Sequence, residues 1–227
     1  LILDLQITIT KMLLDLLFPN RCLQCNRIIS GKELVCEICL SQIHFTHFRY
    51  GEENVLKERC NLLFPIEHAF ALMYFEKEGL SQEILHALKY GKREIIGKIL
   101  ADWTTEKLQF NEDKPDLLVT IPLHPKKMRK RGYNQLHLFA KTLSDHYEIP
   151  FDHKVLKRNR YSKAQAKRSR NERQNAEKKF SINKNISGKH ILMIDDVLTT
   201  GNTMSDAVWE ILKNPDNRIS VLVMAMD

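Results

Sequence analysis

Residues 191–203 read Ile-Leu-Met-Ile-Asp-Asp-Val-Leu-Thr-Thr-Gly-Asn-Thr, and no other stretch is as well equipped for chemistry. An apolar run ends in two carboxylates, Asp195 and Asp196. A hydroxyl-rich turn follows: Thr199, Thr200, Gly201, Asn202 and Thr203. Such a turn ahead of a helix offers backbone N–H groups and hydroxyls to a phosphate. Its glycine removes the Cβ that would block close approach of the backbone. Carboxylates repel phosphate, so the acidic pair must grip something else on the same ligand. The vicinal hydroxyls of a ribose fit, because a carboxylate accepts hydrogen bonds through both oxygens. A lone Asp-Asp or a lone Thr-Thr-Gly would mean little; joined, they are specific.

A second constellation lies near the start. Cys22-x2-Cys25 is followed after ten residues by Cys36-x2-Cys39. Two such knuckles supply four thiolates to a tetrahedral zinc, with Zn–S distances of about 2.3 Å. The short connection predicts a compact turn, with Asn26 and Gly31 suited to its tight bends. Residues 20–45 hold too few apolar side chains for a core of their own, so the metal would supply the folding energy. Four thiolates leave no open position for water, which makes the zinc structural. The competing reading is two disulfides in a secreted domain; it lacks a secretory signal and leaves an odd cysteine. Cys60 reads as a small buried hydrophobe. His44 and His47 are spare ligands to a shell already closed.

Regular elements must hold these groups in place. Residues 68–75 read as a strand. Ser81 is placed to cap a helix through Ile84, Leu85 and Leu88, ended by Gly91. Ile95, Ile96, Ile99, Leu100 and Trp103 mark a second helix by their spacing. A short β-rich run, 117–121, lies between Pro115 and Pro122, and 134–145 is helical. Residues 190–194 form a buried strand, 204–212 a helix and 218–226 another strand. The segment 154–179 has a weak apolar pattern and reads as a mobile loop with a helical part. Strands alternating with helices imply an α/β fold with a mainly parallel sheet covered on both faces. The strand–acid–turn–helix order puts the ligand at the carboxyl ends of the strands.

Composition narrows the class. Of 227 residues, 43% are hydrophobic and 28% charged, which excludes wholesale disorder. No uninterrupted apolar stretch approaches the roughly 18–20 residues that span a bilayer. The apolar start is broken by Asp4, Gln6, Lys11 and Asp15 and lacks a basic leader and a small-residue cleavage site. It does not read as a signal peptide, so a cytoplasmic location is expected. The net charge of +7 is uneven. Lys126, Lys127, Arg129, Lys130 and Arg131 lie within six residues, and 154–179 carries eleven Lys/Arg against Glu172 and Glu177. Such patches are either solvated faces or sites for a polyanion, whether a phosphorylated small molecule or nucleic acid.

The 191–203 string resembles the phosphoribosyl-pyrophosphate (PRPP) signature of type I phosphoribosyltransferases. Further pieces narrow the resemblance: Phe18-Pro19 ahead of the first knuckle, His86-Ala-Leu-Lys89-Tyr90, Ile121-Pro-Leu-His124-Pro125, Arg131-Gly-Tyr-Asn-Gln135, and Gln165 and Asn175 before Phe180. In this order they look like the ComF family, double zinc-finger and phosphoribosyltransferase-domain proteins linked to bacterial competence. The resemblance implies a type I phosphoribosyltransferase fold over residues 46–227, behind an N-terminal helix and four-cysteine zinc module at 1–45. It implies that Asp195 and Asp196 hold the ribose hydroxyls and that Thr199, Thr200, Gly201, Asn202 and Thr203 cradle the 5′-phosphate. A pyrophosphate loop falls at Leu123, His124, Pro125 and Lys126, with His124 equally readable as a loop residue fixed by its prolines. Lys89 and Arg131 are further contacts, 157–178 is a flap, and Mg²⁺ accompanies PRPP. The expected function is a PRPP-binding phosphoribosyltransferase of unknown acceptor, linked to DNA uptake and to protein partners of the competence machinery. The alternative is a non-catalytic module that binds single-stranded DNA or senses the metabolite.

Overall fold

A computed structural model describes residues 19–31, 33–91, 93–159 and 179–227. The expected flap, 157–178, and the expected N-terminal helix fall largely or wholly outside the described residues. Four strands, β1 (Ala69–Tyr74), β2 (Leu117–Thr120), β5 (His190–Leu198) and β6 (Arg218–Met226), form a parallel sheet in the order β1-β6-β5-β2. Residues 190–194 are buried without alternation, as strands covered on both faces must be. β5 runs on past the expected Ile194 because β6 pairs with it as far as Leu198↔Met226.

Among the described residues the helices are α1 (Glu37–Leu40), α2 (Val55–Asn61), α3 (Leu80–Tyr90), α4 (Ile95–Thr105), α5 (Pro125–Arg131), α6 (Gln135–Tyr147) and α7 (Asn202–Ile211). Gly79 begins α3 rather than Ser81, whose hydroxyl accepts from the Glu76 N–H at 2.8 Å. Of the expected loop Leu123–Lys126, Pro125 and Lys126 lie instead in α5, which continues through the basic run to Arg131. Pro125 sits in its first turn, and His124 Nδ1 accepts from the Lys126 N–H at 3.2 Å. Gly132, at φ 82°, ends α5 in the left-handed region, and the Asn134 carboxamide then caps α6.

The segment 154–179 is not loop throughout. Its start, β3 (Leu156–Arg158), pairs antiparallel with β4 (Phe180–Ile182), a pairing between distant residues that no local pattern announces. Near the start of the chain, residues 44–46 run antiparallel along β1, with Phe45 bridging Met73. At the other end of the sheet, Asp113 ties three strands together. His68 Nε2 lies 2.8 Å from it, Arg218 reaches it with both terminal nitrogens at 3.0 and 3.3 Å, and His190 Nδ1 stands at 3.2 Å.

Candidate functional site

Asp195 and Asp196 stand near the carboxyl end of β5, where a pocket of about 210 Å³ opens. Its wall includes residues 195–204, Leu123, Gln135 and four cations: Lys89, Lys127, Arg131 and Arg158. Gly201, at φ 74°, caps α7 in the left-handed region, and its missing Cβ leaves room for the Leu63 side chain. The turn is thereby bent so that the start of a ten-residue helix faces the pocket.

The two carboxylates are not equivalent. Asp196 Oδ2 accepts from Gln135 Nε2 at 2.7 Å and lies 3.2 Å from Lys89 Nζ. Asp195 Oδ1 accepts only its neighbour's backbone N–H among the described contacts, at 2.8 Å. Burial and the Asp196 charge push the Asp195 carboxyl up to about 8, against the pull of that N–H and of Lys89 and Arg158. Burial thus favours the protonated form of Asp195, while Asp196 is held by a cation and an amide. Arg158, at the end of β3, is backed by the Phe180 ring, 5.2 Å from guanidinium carbon to centroid.

Asp195, Asp196, Thr199, Thr200, Gly201, Asn202, Thr203, Lys89, Arg131 and Leu123 of the expected set all line this pocket. His124 and Lys126 do not, since the His124 ring is turned to cap α5. Pro125 lines a neighbouring hollow of about 610 Å³ with Leu123 and Arg158. Lys127, Gln135 and Arg158 were not singled out from the sequence. Gln135 was visible only as the last letter of the 131–135 string, and the two cations were indistinguishable within their basic runs.

The four paired cysteines converge as expected, their sulfurs within 4.8 Å of one another. Sulfurs at about 2.3 Å from a tetrahedral zinc stand about 3.8 Å apart, and Cys25 and Cys36 are separated by 3.7 Å. Asn26 and Gly31 both take left-handed backbone conformations in the connecting turn. The thiols would not ionise together unaided. Burial, reinforced by the other three thiols, raises Cys39 to about 12, whereas N–H groups of Cys25, Cys36 and Gln24 outweigh burial at Cys22 and bring it to about 6. A divalent cation at the centre removes that conflict, so the donor set fits structural zinc. Cys60 is buried and apart from the cluster, and His44 instead lies 2.8 Å from Glu76.

A parallel sheet with strand-end acids beside a phosphate-type turn is the arrangement of a phosphoribosyltransferase-like domain. Residues 129–224 match the phosphoribosyl transferase domain, and residues 13–50 match the double zinc ribbon domain. The chain is 28% identical to the Escherichia coli K12 DNA utilization protein YhgH, over 58% of this chain and 60% of that one. It is 33% identical to the Bacillus subtilis competence protein ComFC, over 55% of this chain and 50% of that one. With the Haemophilus influenzae competence protein F it shares 32% identity over 40% of this chain and 42% of that one. The matches span about half of these relatives' lengths. The chain thus matches a double zinc ribbon followed by a phosphoribosyltransferase domain, and is similar to competence protein ComFC.

Proposed function

We propose that the pocket binds PRPP together with Mg²⁺, and that the chain transfers its phosphoribosyl group to an acceptor. One observation carries this: a single pocket unites a strand-end acid pair, a phosphate-type turn and four cations. Residues 199–203 would take the 5′-phosphate on backbone N–H groups and hydroxyls. Asp195 and Asp196 would accept from the 2′- and 3′-hydroxyls. Leu123, with Lys89, Lys127 and Arg131, would face the pyrophosphate. Among the described residues, Asp195 and Asp196 are the only carboxylates on the pocket wall, so Mg²⁺ would be held mainly by ligand oxygens and water, as is usual for that ion. Bound, it supplies charge neutralisation to the departing diphosphate.

In the transfer, the acceptor's lone pair forms a bond to C1 of the ribose. The C1–O bond breaks, and pyrophosphate leaves with its electrons. Negative charge grows on the leaving group, where Lys89, Lys127, Arg131 and Arg158 stabilise it. Residues 46–227 would form this domain and 1–45 the zinc module, whose thiolates suit a reducing compartment such as the cytoplasm. The names of two relatives, a DNA utilization protein and a competence protein, support a role linked to DNA uptake or use; the basic patches would then serve single-stranded DNA, alongside protein partners of the competence machinery.

Calorimetry of PRPP with Mg²⁺, on the unmodified chain and on Asp195→Asn/Asp196→Asn, tests the site. Equal binding by both would refute it. Release of pyrophosphate from labelled PRPP across a panel of bases separates an enzyme from a metabolite sensor. Binding of single-stranded DNA that stays flat as salt rises would count against the DNA reading.

A further inference from the structure

Gln135 is buried, 5% exposed, and wired at both ends. Arg131, 9% exposed, donates from Nη1 to Gln135 Oε1 at 2.6 Å. Arginine carries no acceptor, so this contact dictates which end of the amide is oxygen. The nitrogen must face the other way, where it donates to Asp196 Oδ2 at 2.7 Å. Lys89 approaches the same oxygen, which leaves Oδ1 for a ligand. Arg131 is itself fixed: its guanidinium carbon lies 5.0 Å from the centre of the Tyr90 ring. The intervening residues close the clamp. Gly132 turns the chain at φ 82°, the Tyr133 hydroxyl donates to the Leu88 carbonyl, and Asn134 caps α6.

We propose that Gln135 is a positioning residue: oriented by the buried Arg131, its amide holds the Asp196 carboxylate so that one oxygen stays directed at the ribose diol. The role rests on PRPP binding at this pocket. It differs from the simpler role of satisfying Arg131, because it depends on the donor end of the amide and not the acceptor end.

Gln135→Glu separates the two. Glutamate still accepts from Arg131 but has no proton for Asp196. Each protein is titrated with PRPP and with inorganic pyrophosphate, both with Mg²⁺, and its melting midpoint is recorded. Losing a hydrogen bond to a charged group should weaken PRPP about tenfold or more. Pyrophosphate has no diol, so its binding should change far less, and an Asp196→Asn background should abolish the effect on PRPP. Gln135→Met removes both ends, so if the glutamate variant does not fold, the donor role is read as the part of the methionine variant's loss of PRPP that disappears in the Asp196→Asn background. Binding of PRPP unchanged by either variant, or a matched loss of PRPP and pyrophosphate, would overturn the role. A native chain that binds no PRPP would instead overturn the function proposed above, and this role with it.

Discussion

Gly201→Ala probes the turn on which phosphate binding depends. Gly201 holds φ at +74°, and a Cβ built there would stand 2.5 Å from Leu63 Cδ1. The left-handed backbone costs a non-glycine residue about 1–2 kcal/mol. The Leu63 methyl can swing aside, at about 0.5–1.5 kcal/mol for a side chain forced off its rotamer. Together these give a loss of about 1.5–3.5 kcal/mol, and for a chain of this size each kcal/mol moves the melting midpoint by about 2–4 °C. Thermal denaturation should therefore show a fall of at least about 3 °C. In a Leu63→Ala background the steric part disappears, so the same substitution should cost only the backbone part, about 1–2 kcal/mol. PRPP affinity should fall in both backgrounds, since the strain lies in the amides that face the phosphate. Gly201→Ala melting within about 1 °C of the unmodified chain would refute the strain; equal penalties in the two backgrounds would refute the Leu63 contact.

The raised Asp195 carboxyl makes a signed prediction about pH. If Mg²⁺ and the diol favour its ionised form, binding releases a proton. Affinity for PRPP should then rise with pH and level off near 8, and the slope should vanish in Asp195→Asn; calorimetry in buffers of different ionisation enthalpy checks this. For the cysteines, metal analysis should find one zinc per chain. Chelation should strip amide-exchange protection from residues 20–43 before it touches β5 and β6, and an unchanged exchange pattern would argue against the metal. At the far end of the sheet, burial would raise the Asp113 carboxyl, but Arg218 and His68 outweigh it and hold it at about 2. That stability is present above about pH 4 and lost as pH falls through about 2. Asp113→Asn should therefore lower the melting midpoint at neutral pH, by about 1 kcal/mol after solvent screening of a partly exposed group, with the gap closing in acid.

Much of the fold was legible because its signals are local. The buried run 190–194, the periodic apolar residues of α4 and the knuckle spacing each state their conformation within a few residues. The phosphate turn was legible for the same reason: glycine, hydroxyls and acids are adjacent in sequence. What escaped depends on contacts between distant segments. β3 and β4 exist by pairing across residues absent from any local window, so Arg158 could not be told from its basic neighbours. The amide of Gln135 has meaning only once Gly132 has turned the chain and Asp196 has arrived from β5. His124 could be read from the sequence as a ligand or as a loop residue fixed by its prolines, and only the fold of the next turn, α5, shows its ring nitrogen accepting the Lys126 N–H.

The place of β6 has a consequence for biosynthesis. It lies between β1 and β5, and β1 pairs with it across some 150 residues of sequence, as in Ala69↔Val221. On the ribosome, β1 and the β2–β5 pair have no link through the sheet until residues 218–226 emerge. Until then both present bare apolar edges, and parallel pairing over so long a separation is slow. The strand that carries Asp195 and Asp196 is locked on both sides only at that late moment, so nascent chains stalled short of it are the species most in need of a holding chaperone.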